Sequence, residues 1–333
     1  MDVGKGPVPS VPGGAVTHFA IALLAVFPAV SAPGALELGP GSRVELAAAA
    51  EGARLLSSRD AFVEVMSPFD RGARLKTDRD VTEAEYLAFA GRQARDWTSP
   101  EKARLEEILG AFRQKTVRFD VPLPPVVVFV KTTGLEEGRA AYCRGATVVL
   151  PEGVVNGDPK QLSETVFHEL FHVYRTHNPG RRAALYRVVG FAPTEEIPLP
   201  EPLARRKLTN PDAPRIDSVI RVQVDGAPTP VTPVLLGDGD RYDVSRGGEF
   251  FQQMKFRLLV LEEKDGRFRP AGDAPRVLDP SQAPDYLGQT GRNTGYVIHP
   301  EEILADNFVQ LVNGRTDAPT PRILQEMGAL LKK

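Results

Sequence analysis

The stretch Asp158–Asn178, DPKQLSETVFHELFHVYRTHN, constrains this chain more than any other, because it sets His168, Glu169 and His172 in the spacing H-E-x-x-H. Four residues make about one helical turn, so both imidazoles fall on one face and reach a single cation, with the Glu169 carboxylate beside it. Neutral imidazole suits Zn²⁺, and a carboxylate next to the ion can take a proton from an attacking water and return it to a leaving group. Those are the parts that metal-assisted peptide hydrolysis requires. The segment predicts a helix on independent grounds. Asp158 is a favourable N-cap and Pro159 a favourable first residue. Leu162, Val166, Phe167, Leu170 and Tyr174 recur at helical spacing, and Asn178-Pro179-Gly180 ends the run.

Two histidines do not complete a catalytic zinc site, which normally takes three protein ligands. Residues 299–313, HPEEILADNFVQLVN, are the best source of the third. Pro300 opens a helix, Gly314 ends it, and Ile303, Leu304, Phe308, Val309 and Val312 mark its apolar stripe. Glu302 and Asp306 share a face four residues apart, so Glu302 can bind the metal while Asp306 accepts the free ring N–H of a liganding histidine. Glu301, His299, Asp306 and His177 are the alternative ligands. Glu301 points about 100° away from Glu302 around the helix and would lose the Asp306 partnership. An oxyanion donor is also needed, and the loop GRNTGYVIHP ahead of this helix offers Arg292, Tyr296 and His299. For Tyr296 the plainer role is core packing, and for His299 it is an N-cap.

H-E-L-F-H at 168–172 followed by E-I-L-A-D at 302–306 resembles the gluzincin zinc metallopeptidases, the thermolysin-like group whose second motif is Glu-x-x-x-Asp. The resemblance covers these two helices and the strand before the first. It implies zinc on His168, His172 and Glu302, with Glu169 as general base. It also implies that Asp306 is the partner of a zinc-bound histidine, His168. The expected architecture is an α+β, zincin-like metallopeptidase fold with a β-rich insertion between the two metal-binding helices, acting on a peptide or protein substrate. A zinc-binding scaffold without turnover, and a metal-dependent hydrolase of a cell-wall amide, are the rival readings.

The rest of the chain fills in this outline. Its 41 Lys and Arg against 43 Asp and Glu are scattered, and the net charge of −2 gives no basic surface for nucleic acid. Thirty Pro and thirty Gly imply many loops rather than a bundle, and the lone Cys143 excludes an internal disulfide framework. Cys143 itself reads as a small, half-buried residue. The apolar run Phe19–Val30 followed by Val30-Ser31-Ala32 predicts a signal peptide over 1–32 and export to the periplasm or beyond, with an uncleaved anchor as the alternative. No stable membrane insertion is expected otherwise.

Residues 33–58 read as a linker, 59–215 as the lobe with the H-E-x-x-H helix, 216–275 as the β-rich insertion and 276–333 as a helical lobe carrying Glu302. Thr82-x-x-Glu85 is a capping box opening a helix to about Ala94, and Ser99-Pro100-Glu101 opens another, with Trp97 between them as a core anchor. Val126–Val130 and Thr147–Leu150 are β-branched runs, and the strand around Ala146–Leu150 is expected at a sheet edge where an extended peptide could add. Ile216–Val224, Val231–Leu236 and Phe250–Glu262 predict a small antiparallel sheet. Thr320-Pro321 starts a final helix.

Overall fold

The computed structural model describes residues 1, 36–272 and 274–333, and the described residues from 36 onward form one compact unit. The signal peptide expected over 1–32 lies, beyond Met1, outside the described residues. Among the described residues the architecture is α+β with two six-stranded sheets.

The first sheet contains β1 (Leu36–Gly39), β2 (Ser42–Leu46), β3 (Ala94–Arg95), β4 (Val126–Thr132), β5 (Tyr142–Arg144) and β6 (Thr147–Pro151). Its order is β1-β2-β4-β6-β5, with β3 beside the end of β4. β2, β4 and β6 run parallel, while β1 and β5 close the two sides antiparallel.

Two expectations change here. Residues 36–58 are not a linker, because they form β1, β2 and the helix Ala49–Leu56. The signal was weak because the strands are short and the helix is rich in alanine, so it is held by a close approach to the sheet. A Cβ on Gly52 would come within 2.8 Å of Val130 Cγ1. The second change concerns the edge. β6 is internal, with Val148, Val149 and Leu150 all 0% exposed, and the edge on its side of the sheet is β5. A three-residue strand that turns at Gly145, φ +64°, is too short to show alternation in sequence.

The second sheet is antiparallel throughout: β7 (Phe191–Pro193), β8 (Ser218–Val224), β9 (Ala227–Gly237), β10 (Met254–Lys264), β11 (Arg267–Pro270) and β12 (Val277–Leu278). It therefore begins before residue 216 and ends after 275. It is also built into the core rather than set apart from it. Ile220, Val222, Val231, Leu258 and Val260 on one face join the main core, while Val219, Val234, Leu236, Leu259 and Leu261 on the other close over Ile197 and Leu203.

The helix Pro159–His177 is capped as its sequence predicts, with Asp158 Oδ1 accepting from Gln161 N at 2.8 Å. Leu162, Val166, Phe167, Leu170, Phe171 and Tyr174 are each 0% exposed, the marks of a helix surrounded by core. The helix Pro300–Val312 packs against it through Phe308, whose ring centroid lies 5.2 Å from that of Phe171. The helices Glu83–Gly91 and Ser99–Thr116 form where expected, and Trp97 is buried beside Lys131. The first of them stops at Gly91 because Ala94–Arg95 leaves to pair with β4. Among the described residues no helix is long and apolar enough to cross a membrane.

Candidate metal centre

The phenylalanine contact between the two helices sets their polar residues face to face. His168 Nε2 lies 3.0 Å from Glu302 Oε2, and His172 Nε2 lies 3.6 Å from the same oxygen. The ligand atoms of His168, His172 and Glu302 all fall within 4.8 Å of one another. On its other nitrogen, His168 Nδ1 donates to Asp306 Oδ1 at 2.9 Å, which fixes the ring and turns Nε2 toward Glu302. Thr294 Oγ1 donates to the second oxygen of Asp306. The bond of His168 to Asp306 spans 138 residues of sequence, so the two motifs meet as their patterns predict.

Charge and burial define what the cluster can hold. His172 and Glu302 are each 1% exposed, and neither ring nitrogen of His172 has a hydrogen-bond partner. An imidazole buried without partners costs free energy that a cation between His172, His168 and Glu302 would recover. Burial opposes the charged form of His168, yet the Asp306 and Glu302 carboxylates outweigh it and raise the group to about 10. Glu302 is held well below the usual carboxylate range, because His172 and His168 overcome the effect of burial. Carboxylates converging on an imidazole pair call for positive charge at their centre. Two nitrogens and one carboxylate oxygen are the donor set of a catalytic zinc, so the residues fit that ion.

Glu169, 4% exposed, sits one residue along from His168 with its carboxyl raised by burial, an effect that the two histidines partly oppose. It faces a cavity of about 730 Å³ lined also by Ala141, Glu164, Asp212 and Tyr296. Cys143 Sγ donates to Glu169 Oε2 at 3.2 Å, and the burial and carboxylate charge that raise the thiol keep it a donor. Cys143 is 3% exposed, more buried than its sequence context suggested. Its backbone N–H donates to Asp212 Oδ1 at 2.6 Å.

The remaining candidates separate clearly. Glu301 is turned away from the cavity: Tyr186 Oη donates to it at 2.5 Å, Arg175 Nε is 2.6 Å away, and the nearer ring nitrogen of His172 is 3.9 Å away. It therefore backs the His172 helix from behind. His177 is exposed at the helix end. Tyr296 is 42% exposed rather than packed in the core: its ring stacks on His168 at the cavity wall, centroids 6.4 Å apart, and desolvation of its hydroxyl end, followed by the Glu302 and Asp212 charges, pushes the hydroxyl up. His299 was expected among the catalytic groups but does not line this cavity. Its Nδ1 accepts from Glu301 N at 3.2 Å as the N-cap of the second helix, and the buried ring lies away from the His168 cavity. Arg292 is exposed, with its backbone tied to Thr320.

Asn210 and Asp212 had no sequence signal beyond their Pro-rich surroundings, yet both reach the site. Asn210 Nδ2 donates to Glu302 Oε1 at 2.5 Å, and Asp212 lines the cavity. Comparison with protein-family models, with curated proteins and with solved structures finds no match for this chain.

Proposed function

We propose that the protein is a zinc-dependent peptidase of the gluzincin kind on a zincin-like fold, hydrolysing peptide bonds with Glu169 as general base. The observation that carries the reading is the pairing of His168 with both Glu302 and Asp306, through opposite ring nitrogens, at 3.0 and 2.9 Å. A structural metal site would satisfy its ligands alone. This one adds a buried carboxylate, Glu169, at the wall of an open cavity.

His168, His172 and Glu302 would hold the ion, and Asp306 keeps His168 in the tautomer that binds. Zinc in such a site supplies Lewis acidity, activating water and polarising the scissile carbonyl. Glu169 takes the proton of the attacking water and delivers it to the departing amine, and the burial that raises its carboxyl makes it a stronger base than an exposed glutamate. Tyr296, protonated and at the cavity wall, donates to the carbonyl oxygen as it gains charge. The substrate enters beside β5, because Ala140 and Ala141, the residues leading into that edge strand, line the cavity.

The test is Glu169→Gln, compared with the unaltered protein on a panel of peptides and cell-wall amides. Turnover of a peptide that falls by about two to four orders of magnitude, with zinc still bound, supports the reading. Undiminished turnover removes Glu169 from the mechanism, and cleavage of cell-wall amides alone changes the substrate class.

A further inference from the structure

Residues 208–217 form neither helix nor strand, yet their backbone is tied into a set of buried groups. Thr209 donates to Asp70 through its N–H, at 2.9 Å to Oδ1, and through its hydroxyl, at 2.6 Å to Oδ2. Arg74 Nη2 donates to Thr209 O at 3.0 Å, and Ser67 Oγ to Lys207 O at 2.6 Å. The Asp70 and Arg74 side chains are 0% exposed, and Arg74 is also bound through two nitrogens to Glu137, at 2.6 and 2.7 Å. Buried charges are costly unless fully partnered, and here some of their hydrogen bonds hold an irregular loop in one place. The next residue is Asn210. Its Nδ2 donates to Glu302 Oε1 at 2.5 Å, and its Oδ1 accepts from Asp212 N at 3.1 Å.

We propose that Asn210 is a positioning residue for the metal centre, fixed by the buried Asp70–Arg74 pair and aiming Glu302 at the two histidines. A carboxylate on a flexible stem has many orientations. Binding Oε1 to Asn210 leaves Oε2 as the oxygen that faces His168 Nε2 and His172 Nε2, at 3.0 and 3.6 Å. Partners one step behind metal ligands contribute through such orientation. The inference rests on the reading of His168, His172 and Glu302 as zinc ligands.

The experiment measures zinc affinity by competition with a chromophoric chelator for the full protein and its Asn210→Leu and Asn210→Gln variants. Visible spectra of the cobalt-loaded forms and thermal unfolding of the metal-free forms are taken in parallel. Leucine keeps the volume without a donor, so affinity should fall about 10- to 100-fold. The cobalt bands should shift, and metal-free stability should fall no further than the loss of one hydrogen bond to the buried Glu302 explains. Glutamine, which keeps the amide, should recover part of the loss. Unchanged affinity and cobalt bands in Asn210→Leu overturn the proposal while leaving the metal site standing. So does a loss of affinity that is matched by lowered metal-free stability and not rescued by glutamine, which would make Asn210 a structural residue only. A parent protein that binds no zinc overturns the metal-site reading, and the proposal with it.

Discussion

Replacing Arg74 by methionine tests how far the buried charges behind the site sustain the fold. The guanidinium binds Glu137 through two nitrogens and Asp70 through a third, and it lies between the Phe62 and Phe250 rings at 5.2 and 4.8 Å. Methionine retains the length and apolar contact of the stem, so the main loss is charge compensation. Removing one partner of a buried ion pair costs about 3–5 kcal/mol, because the other charge is left behind. The cost depends on pH through Glu137. Burial raises its carboxyl to about 7 in spite of Arg74, above an unfolded value of roughly 4.3. A carboxyl whose folded pKa exceeds its unfolded one stabilises the fold most at low pH, and that contribution is lost as pH rises through the folded value. Without Arg74 the folded value rises further, so the loss in the variant continues into higher pH and the gap between the two proteins widens above pH 7. Urea unfolding followed by circular dichroism at pH 6 and pH 9 measures it, with unchanged m-values marking a true stability difference. The expected loss is about 3–5 kcal/mol at pH 9 and distinctly less at pH 6. A loss below about 1 kcal/mol at pH 9, the level of an exposed pair, or an equal loss at both pH values would refute the reasoning.

Asp306→Ala frees the Nδ1 side of His168, so zinc affinity measured by chelator competition should fall about 10- to 100-fold; unchanged affinity would dismiss Asp306 as the orienting partner. Phe308→Ala empties the seam between the two ligand helices, where Phe171 and Phe112 lie 5.2 and 6.4 Å from Phe308, and should cost about 3–5 kcal/mol in denaturant unfolding. A loss under about 1.5 kcal/mol would show that the seam closes by itself.

What was legible in the sequence follows from where the determining contacts lie. The two ligand helices could be read because caps, apolar stripe and ligand spacing are all local, within a turn or two of the residue concerned. The same holds for Thr82 with Glu85 and for the strands Val126–Thr132 and Thr147–Pro151. Helix geometry alone also separates the two adjacent glutamates, with Glu302 facing the histidines and Glu301 facing Arg175 and Tyr186. Four features escaped because no local pattern encodes them. The helix Ala49–Leu56 depends on a glycine meeting Val130 across the sheet, and the true edge strand is only three residues long. Asn210 reaches Glu302 across 92 residues, and Cys143 reaches Glu169 across 26. His299 shows the converse, where a residue type suited to catalysis is used by the backbone as a cap.

The central claim is that two helices far apart in sequence build one zinc site. Elemental analysis of the purified protein beside its Glu302→Ala variant tests it most directly, since Glu302 supplies the oxygen that both histidines face. The account predicts about one zinc per chain in the parent protein, sharply reduced in the variant. Zinc fully retained by the variant would place the third ligand elsewhere, and no zinc in the parent even after reconstitution would contradict the account.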